Sequence, residues 1–369
     1  MSRKVIEFDK TKRILAFVAT CVEATSRSLC LSKSDTIQYF KEKSLLSSPD
    51  KKKRLANIEL LRMVSMFMVL MLHTRHPNTI DDSLGSMFWR SFSACGVDTF
   101  ILISGYFGLR PSVKSWVHFL IPPTFYTLIL CTINHEPITH YQPWCSWWFV
   151  TCYLELLLVA PFLNMIIDEK GKKMHLLLIF ALFIINVYFG FICQTNEGRT
   201  GYTLMNFCFI YTLGRYINKY NIVINLLSQR LLLFVFLLFV NFIFRLYGID
   251  CKGITGYYNS PLVILQAISL FLVFEKIEIK RLYNIILFIS SSTFSVYLIS
   301  DHPYFRYNYY AELWKNVGNI SGDYFHLMAI FVNMLIFVLC TMLDKLRMLI
   351  SDKVEQTIVQ LLGNFRNLK

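Results

Sequence analysis

The sequence predicts an all-α fold, a polytopic transmembrane helix bundle of about ten spans with both termini cytoplasmic. Three observations predict it. Hydrophobic residues make up 55% of the chain and charged residues only 17%, against about 25% charged in an ordinary soluble domain. Apolar runs recur about every 30 residues, each close to the roughly 20 residues that cross a bilayer. Lys and Arg gather in alternate loops, which fixes an orientation.

Residues 1–54 are expected to form a cytoplasmic N-terminal extension, polar and mixed in charge. Its one apolar stretch, Ile14 to Val22, follows a basic start, but it is short and Glu7 and Asp9 spoil a signal-sequence reading. Lys51, Lys52, Lys53 and Arg54 close the extension. Spans are then expected at 55–73, 91–109, 115–133, 147–167, 175–193, 203–217, 230–248, 259–274, 283–300 and 325–343. Each is too long for a strand and lacks strand alternation, and open strands cannot cross lipid with their backbone groups unpaired. The membrane domain is expected over 55–345, with 346–369 as a cytoplasmic tail.

The loops assigned inside carry Arg110 and Lys114; Lys170, Lys172 and Lys173; Arg215, Lys219 and Arg230; Lys276, Lys280 and Arg281. Those assigned outside carry Arg75, Arg199 and Lys252, then Arg306 and Lys315, and none falls in 134–146. The net charge of +13 therefore reads as topology rather than as a nucleic-acid surface. Trp144, Trp147, Trp148, Tyr257 and Tyr258 suit an outer aromatic belt. The ten cysteines show no CxxC or Cys/His metal spacing. Most sit in apolar runs as packed thiols, while Cys145, Cys193 and Cys251 fall near outer loops, where a disulfide is conceivable.

Charged side chains inside spans cost about 2.5–3.5 kcal/mol each on insertion scales, so they are the first place to look for function. The first span, ANIELLRMVSMFMVLMLH, holds Glu59, Arg62 and His73. Eleven residues separate Arg62 from His73, which is three turns plus roughly 20°, so both project from one face about 16 Å apart. Glu59 precedes Arg62 by one turn and can pair with it. Taken singly, Arg62 reads as a snorkelling cation and His73 as an interfacial cap; together on one face they invite chemistry. In the second span, GVDTFILISGYFG, small residues at 96, 104, 105 and 108 let helices approach closely. Asp98 lies just inside that span and could orient His73 as carboxylates do in acid–base dyads.

IELLRMVSMFMVLMLH followed by GVDTFILISGYF resembles the acyltransferase 3 family of integral membrane O-acyltransferases. WWFVTCYLELLLVAPFLN, FIYTLGRYIN, SPLVILQAISLFLVFEK and SSSTFSVYLISDHP are similar to its polysaccharide-modifying branch, and the resemblance covers about 54 to 345. Relatives commonly begin just before the first of these helices, and their ninth span often ends Tyr-Leu-Ile-His where this chain has Ser300, then Asp301 and His302. Only Arg110 and Lys114 stand where relatives often have an Arg-rich run.

The resemblance implies transfer of an acyl group, most often acetyl, from acyl-coenzyme A (a donor substrate; no metal is expected) to a hydroxyl of a surface polysaccharide or lipid-linked glycan, at a cytoplasmic (inner) membrane. His73 is then the expected general base with Asp98 beside it. Arg62, with Glu59, Arg110 and Lys114, is expected to hold the donor, because guanidinium groups suit phosphate oxygens. Ser104, Tyr106, Glu155, Arg245 and His302 are expected to line the substrate cavity. Pro122, Pro123 and Pro161 read as helix kinks, and the Ser290–Thr293 hydroxyls as helix packing. Two alternatives from other classes remain at this point: a glycan flippase or polymerase, and a non-catalytic scaffold or sensor.

Overall fold

The computed structural model describes residues 55–74, 83–133, 142–195, 198, 200–220, 224, 226–249 and 253–367. The expectations for residues 1–54, and for Arg75, Arg199, Cys251 and Lys252, lie outside the described residues. The described residues are mostly helical, with no strand among them.

The first helix, α1 (Ala56–His73), occupies the middle of the bundle. Ile58, Leu61, Met68 and Leu70 are buried there. α2 (Leu84–Ser93) and α3 (Gly96–Phe107) divide at Ala94–Cys95, inside the stretch where the sequence suggested one span. The Ser83 hydroxyl caps α2 by accepting from Ser86 N at 3.2 Å. α4 (Val113–Ile133) carries Pro122 and Pro123 inside it, and α5 (Trp148–Glu169) carries Pro161. α6 (Gly171–Phe183) runs on without a break into a π-helical segment, Ile184–Ile192. Then follow α7 (Leu204–Lys219), α8 (Leu227–Leu246), α9 (Pro261–Lys276), α10 (Tyr283–Ser290), α11 (Thr293–Ser300), α12 (Pro303–Asn308), α13 (Tyr310–Ser321) and α14 (Phe325–Asn367).

Six stretches are long and apolar enough to cross a membrane: Ala56–His73, Trp148–Glu169, Gly171–Ile192, Leu227–Leu246, Tyr283–Ser300 and Phe325–Leu362. The protein is thus a multi-pass membrane protein. Three of the other expected spans are too short for that standard: α3, α7 and α9 have 12, 16 and 16 residues. α4, at 21 residues, carries Lys114, His118 and two prolines.

Close packing comes from small residues, as it must where lipid offers no hydrophobic contrast. α3 lies along α7, and a Cβ at Gly105 would meet the Tyr211 carbonyl while one at Gly214 would meet the Leu102 carbonyl. Gly96 faces Ser65 and Met68 of α1, and Gly108, at φ +75°, ends α3 against the Arg215 guanidinium. A buried polar chain crosses the same layer: Asn186 Nδ2 donates to Asn206 Oδ1 (2.8 Å), and Asn206 Nδ2 to Asp98 Oδ1 (3.2 Å).

The final helix does not stop at the end of its expected span. α14 continues to Asn367, and a buried ionic cluster ties it to α4. Arg347 donates to Asp344 (2.7 Å), Ser351 (2.9 Å) and Glu355 (3.2 Å). Tyr126 donates to Asp344 (2.8 Å), and His118 meets Glu355 at 2.7 Å.

Candidate functional site

α1 positions two groups on one face. Near its Ala56 end, Arg62 Nη1 reaches both oxygens of Glu59, at 3.1 and 3.3 Å. Glu59 is buried, while the Arg62 side chain keeps 25% of its surface. The cation is thus anchored on one side and open on the other. Tyr153 of α5 lies within electrostatic reach of Arg62. Its hydroxyl is 3.1 Å from Ser104 Oγ, which also donates to Phe100 O. Arg62, Ser104 and Tyr153 therefore bring α1, α3 and α5 to one polar point inside an apolar bundle.

His73 closes α1, eleven residues and about 16 Å further along. Its side chain is 20% exposed, and Nδ1 lies 3.6 Å from Asp301 Oδ1. The same oxygen receives Arg306 Nη1 at 3.0 Å. Asp301 follows directly on α11, its carboxylate almost wholly buried, whereas Arg306 of α12 is about one-third exposed.

The structure distributes the other expected residues differently. Asp98 was paired with His73 in the sequence reading; here its carboxylate is buried against Asn206, and Asp301 is the carboxylate that meets His73. In the first turn of α3, Asp98 points into the α3–α7 packing rather than toward the end of α1. His302 was expected to line a cavity but is fully buried. Its Nδ1 accepts from Tyr304 N at 3.2 Å and so caps α12, and its ring stands edge-on to Trp147 at 5.1 Å. Burial pushes its imidazole down to about 4. Glu155 is exposed on the same stripe of α5 as Leu158, Phe162 and Met165, and two residues from Tyr153 it faces the opposite way.

Arg245 donates to the Thr255 carbonyl at 2.5 Å, joining the end of α8 to the loop before α9. Tyr106 is half-buried with its ring on Phe271. Arg110 and Lys114 are exposed at the start of α4, without an ion pair among the described residues. The expected aromatic belt is in part core: Trp147 and Tyr258 are buried, and Trp148 stacks on Tyr258 at 5.6 Å. Cys145 and Cys193 are exposed free thiols. Among the described residues no three His, Cys, Asp or Glu side chains gather to hold a metal ion.

The model of the acyltransferase 3 family, an acyltransferase domain, matches residues 55–344. The chain belongs to that family. This acyltransferase is matched from the residue before α1 to Asp344 of α14, so the α1 face, Ser104, Tyr153 and Asp301 all fall within the family domain. No curated protein and no solved structure matches the chain.

Tyr153 and Asp301 are the neighbours of Ser104 and His73 that sequence reasoning did not select. Tyr153 sits in a run of aromatic and aliphatic residues that gives no sign of which ring faces a serine 49 positions earlier. Asp301 stands at the end of an apolar run, where a charge is ordinary. The departure Ser300–Asp301–His302 from the usual Tyr-Leu-Ile-His ending was the available signal, and it drew attention to the histidine instead.

Proposed function

We propose that this protein transfers an acyl group, in the first instance acetyl, from cytoplasmic acyl-coenzyme A to a hydroxyl of a surface polysaccharide or lipid-linked glycan, in a cytoplasmic membrane. In this reading both termini lie in the cytoplasm, so the Ala56 end of α1 faces the donor pool and the His73 end faces the acceptor. The open side of Arg62 binds a phosphate or amide oxygen of the donor, with Ser104 and Tyr153 beside it and Arg110 and Lys114 offering charge at the entrance. The pantetheine arm follows the face of α1 toward His73.

There the imidazole takes the proton from the acceptor hydroxyl as its oxygen attacks the thioester carbonyl. The C–S bond breaks, the ester forms, and the coenzyme A thiolate recovers the proton from the imidazolium. Histidine suits both halves because its ordinary pKa is near neutrality. The observation that carries the reading is the pairing of Arg62 and His73 on one helix face, three turns apart, with a carboxylate against the outer imidazole.

Replacing His73 by Gln tests it. Mass spectrometry of surface glycans from cells carrying H73Q should show loss of the acetyl mass with polymer length unchanged. Shortened polymer with the acetyl content per sugar unaltered would overturn the reading in favour of transport or assembly.

A further inference from the structure

We infer that Asp301 is the positioning residue for His73 and that Arg306 restrains it by sharing the same carboxylate oxygen; this rests on His73 being the base. The inference stands on one atom. Asp301 Oδ1 lies 3.6 Å from His73 Nδ1 and 3.0 Å from Arg306 Nη1. A carboxylate facing Nδ1 holds the proton of the neutral ring on that nitrogen and leaves Nε2 free to act as base toward the acceptor. The negative charge also favours the imidazolium formed when the hydroxyl proton arrives.

Arg306 works against both effects. Its guanidinium makes the closer approach, draws charge from Oδ1, and holds the oxygen beyond hydrogen-bond length from the ring. Being about one-third exposed, it can leave that oxygen at little cost. Asp301 cannot follow it, because the carboxylate is buried and carried on the end of α11. The phenols of Tyr297, Tyr202, Tyr258 and Tyr310 also surround Asp301. Phenols ordinarily titrate near pH 10, and His302 is already neutral above about 4. Among the described residues, the ion pairs of Asp301 are with His73 and Arg306, and these two contacts are what the variants below perturb.

The test uses full-length protein in nanodiscs and follows release of coenzyme A from acetyl-coenzyme A, with water as acceptor, from pH 5 to 8.5. Asp301→Asn should lower kcat roughly ten- to a hundredfold with KM for acetyl-coenzyme A unchanged, and should move the acidic limb of kcat/KM to lower pH. Arg306→Gln should move that limb the other way, to higher pH, and Asp301→Glu should recover part of the rate. Opposite displacements of one limb are not produced by a general loss of folding. If both variants lose activity with the limb unmoved, Asp301 and Arg306 are structural and the inference fails. If H73Q retains full activity in the same assay, the reading of His73 as base fails first.

Discussion

Asn206 Nδ2 donates to Asp98 Oδ1 at 3.2 Å, both residues fully buried, and Asn206 Oδ1 in turn accepts from Asn186. The carboxylate in the second span is thereby committed to joining α3, α7 and the π-helical end of α6. Asp98→Asn should keep transfer within about threefold of wild type, since an amide oxygen can still accept from Asn206. Asp98→Leu, which strands the buried Asn206 amide, should lower stability by about 1–3 kcal/mol. Thermal unfolding in detergent, measured beside coenzyme A release, separates the two outcomes.

Tyr153 and Ser104 offer a subtler effect. Tyr153→Phe removes a hydroxyl 3.1 Å from Ser104 and near the open side of Arg62. If this group helps seat the donor, KM for acetyl-coenzyme A should rise about fivefold, the equivalent of about 1 kcal/mol for one hydrogen bond, with kcat nearly unchanged. A fall in kcat at constant KM would place Tyr153 in the chemistry instead.

The Arg62–Glu59 pair predicts an asymmetry. Arg62→Lys keeps the charge but loses the planar fork that can hold Glu59 and an oxygen of the donor together. It should raise KM for acetyl-coenzyme A more than it lowers kcat. Arg62→Ala should do the same and also destabilise the protein, because buried Glu59 loses its partner. Steady-state kinetics with a melting curve for each variant checks both statements.

His302 gives the fold a pH dependence of calculable sign. Its imidazole is pushed down to about 4 by burial, whereas an unfolded histidine titrates near 6.5. Between those values the unfolded chain binds the extra proton, so stability falls as pH drops from about 6.5 to about 4 and then levels off. The loss should amount to on the order of 2–3 kcal/mol. In His302→Asn, which can still cap α12, that part of the slope should vanish in melts recorded across pH 4–7.

The apolar runs were enough to find the long helices, because a helix in lipid must be apolar wherever it faces outward, but α12 and α13 fall where the sequence suggested a loop. Breaks inside those runs were not legible. Ala94–Cys95 and Ser291–Ser292 interrupt helices with residues that helices tolerate, and tertiary packing decides the break. Arg62 and His73 were visible because helical periodicity relates residues within one element. Asp301 was not, since its meeting with His73 spans 228 positions and depends on how α11 lies beside α1. Asp98 shows the same limit in reverse: adjacency of two spans in sequence does not say which side chains turn toward each other.

The buried ionic cluster on α14 redraws the boundary at which this domain can be cut. The family match ends at Asp344, yet Asp344 is held by Arg347, and Arg347 by Ser351 and Glu355, all further along the chain. A gene shortened at that residue would leave its last carboxylate buried beside Tyr126 with the guanidinium gone, a loss of about 3–5 kcal/mol by analogy with other broken buried pairs. The physical edge of the unit therefore lies at or beyond Glu355, and a truncation meant to keep the domain intact must retain α14 at least that far.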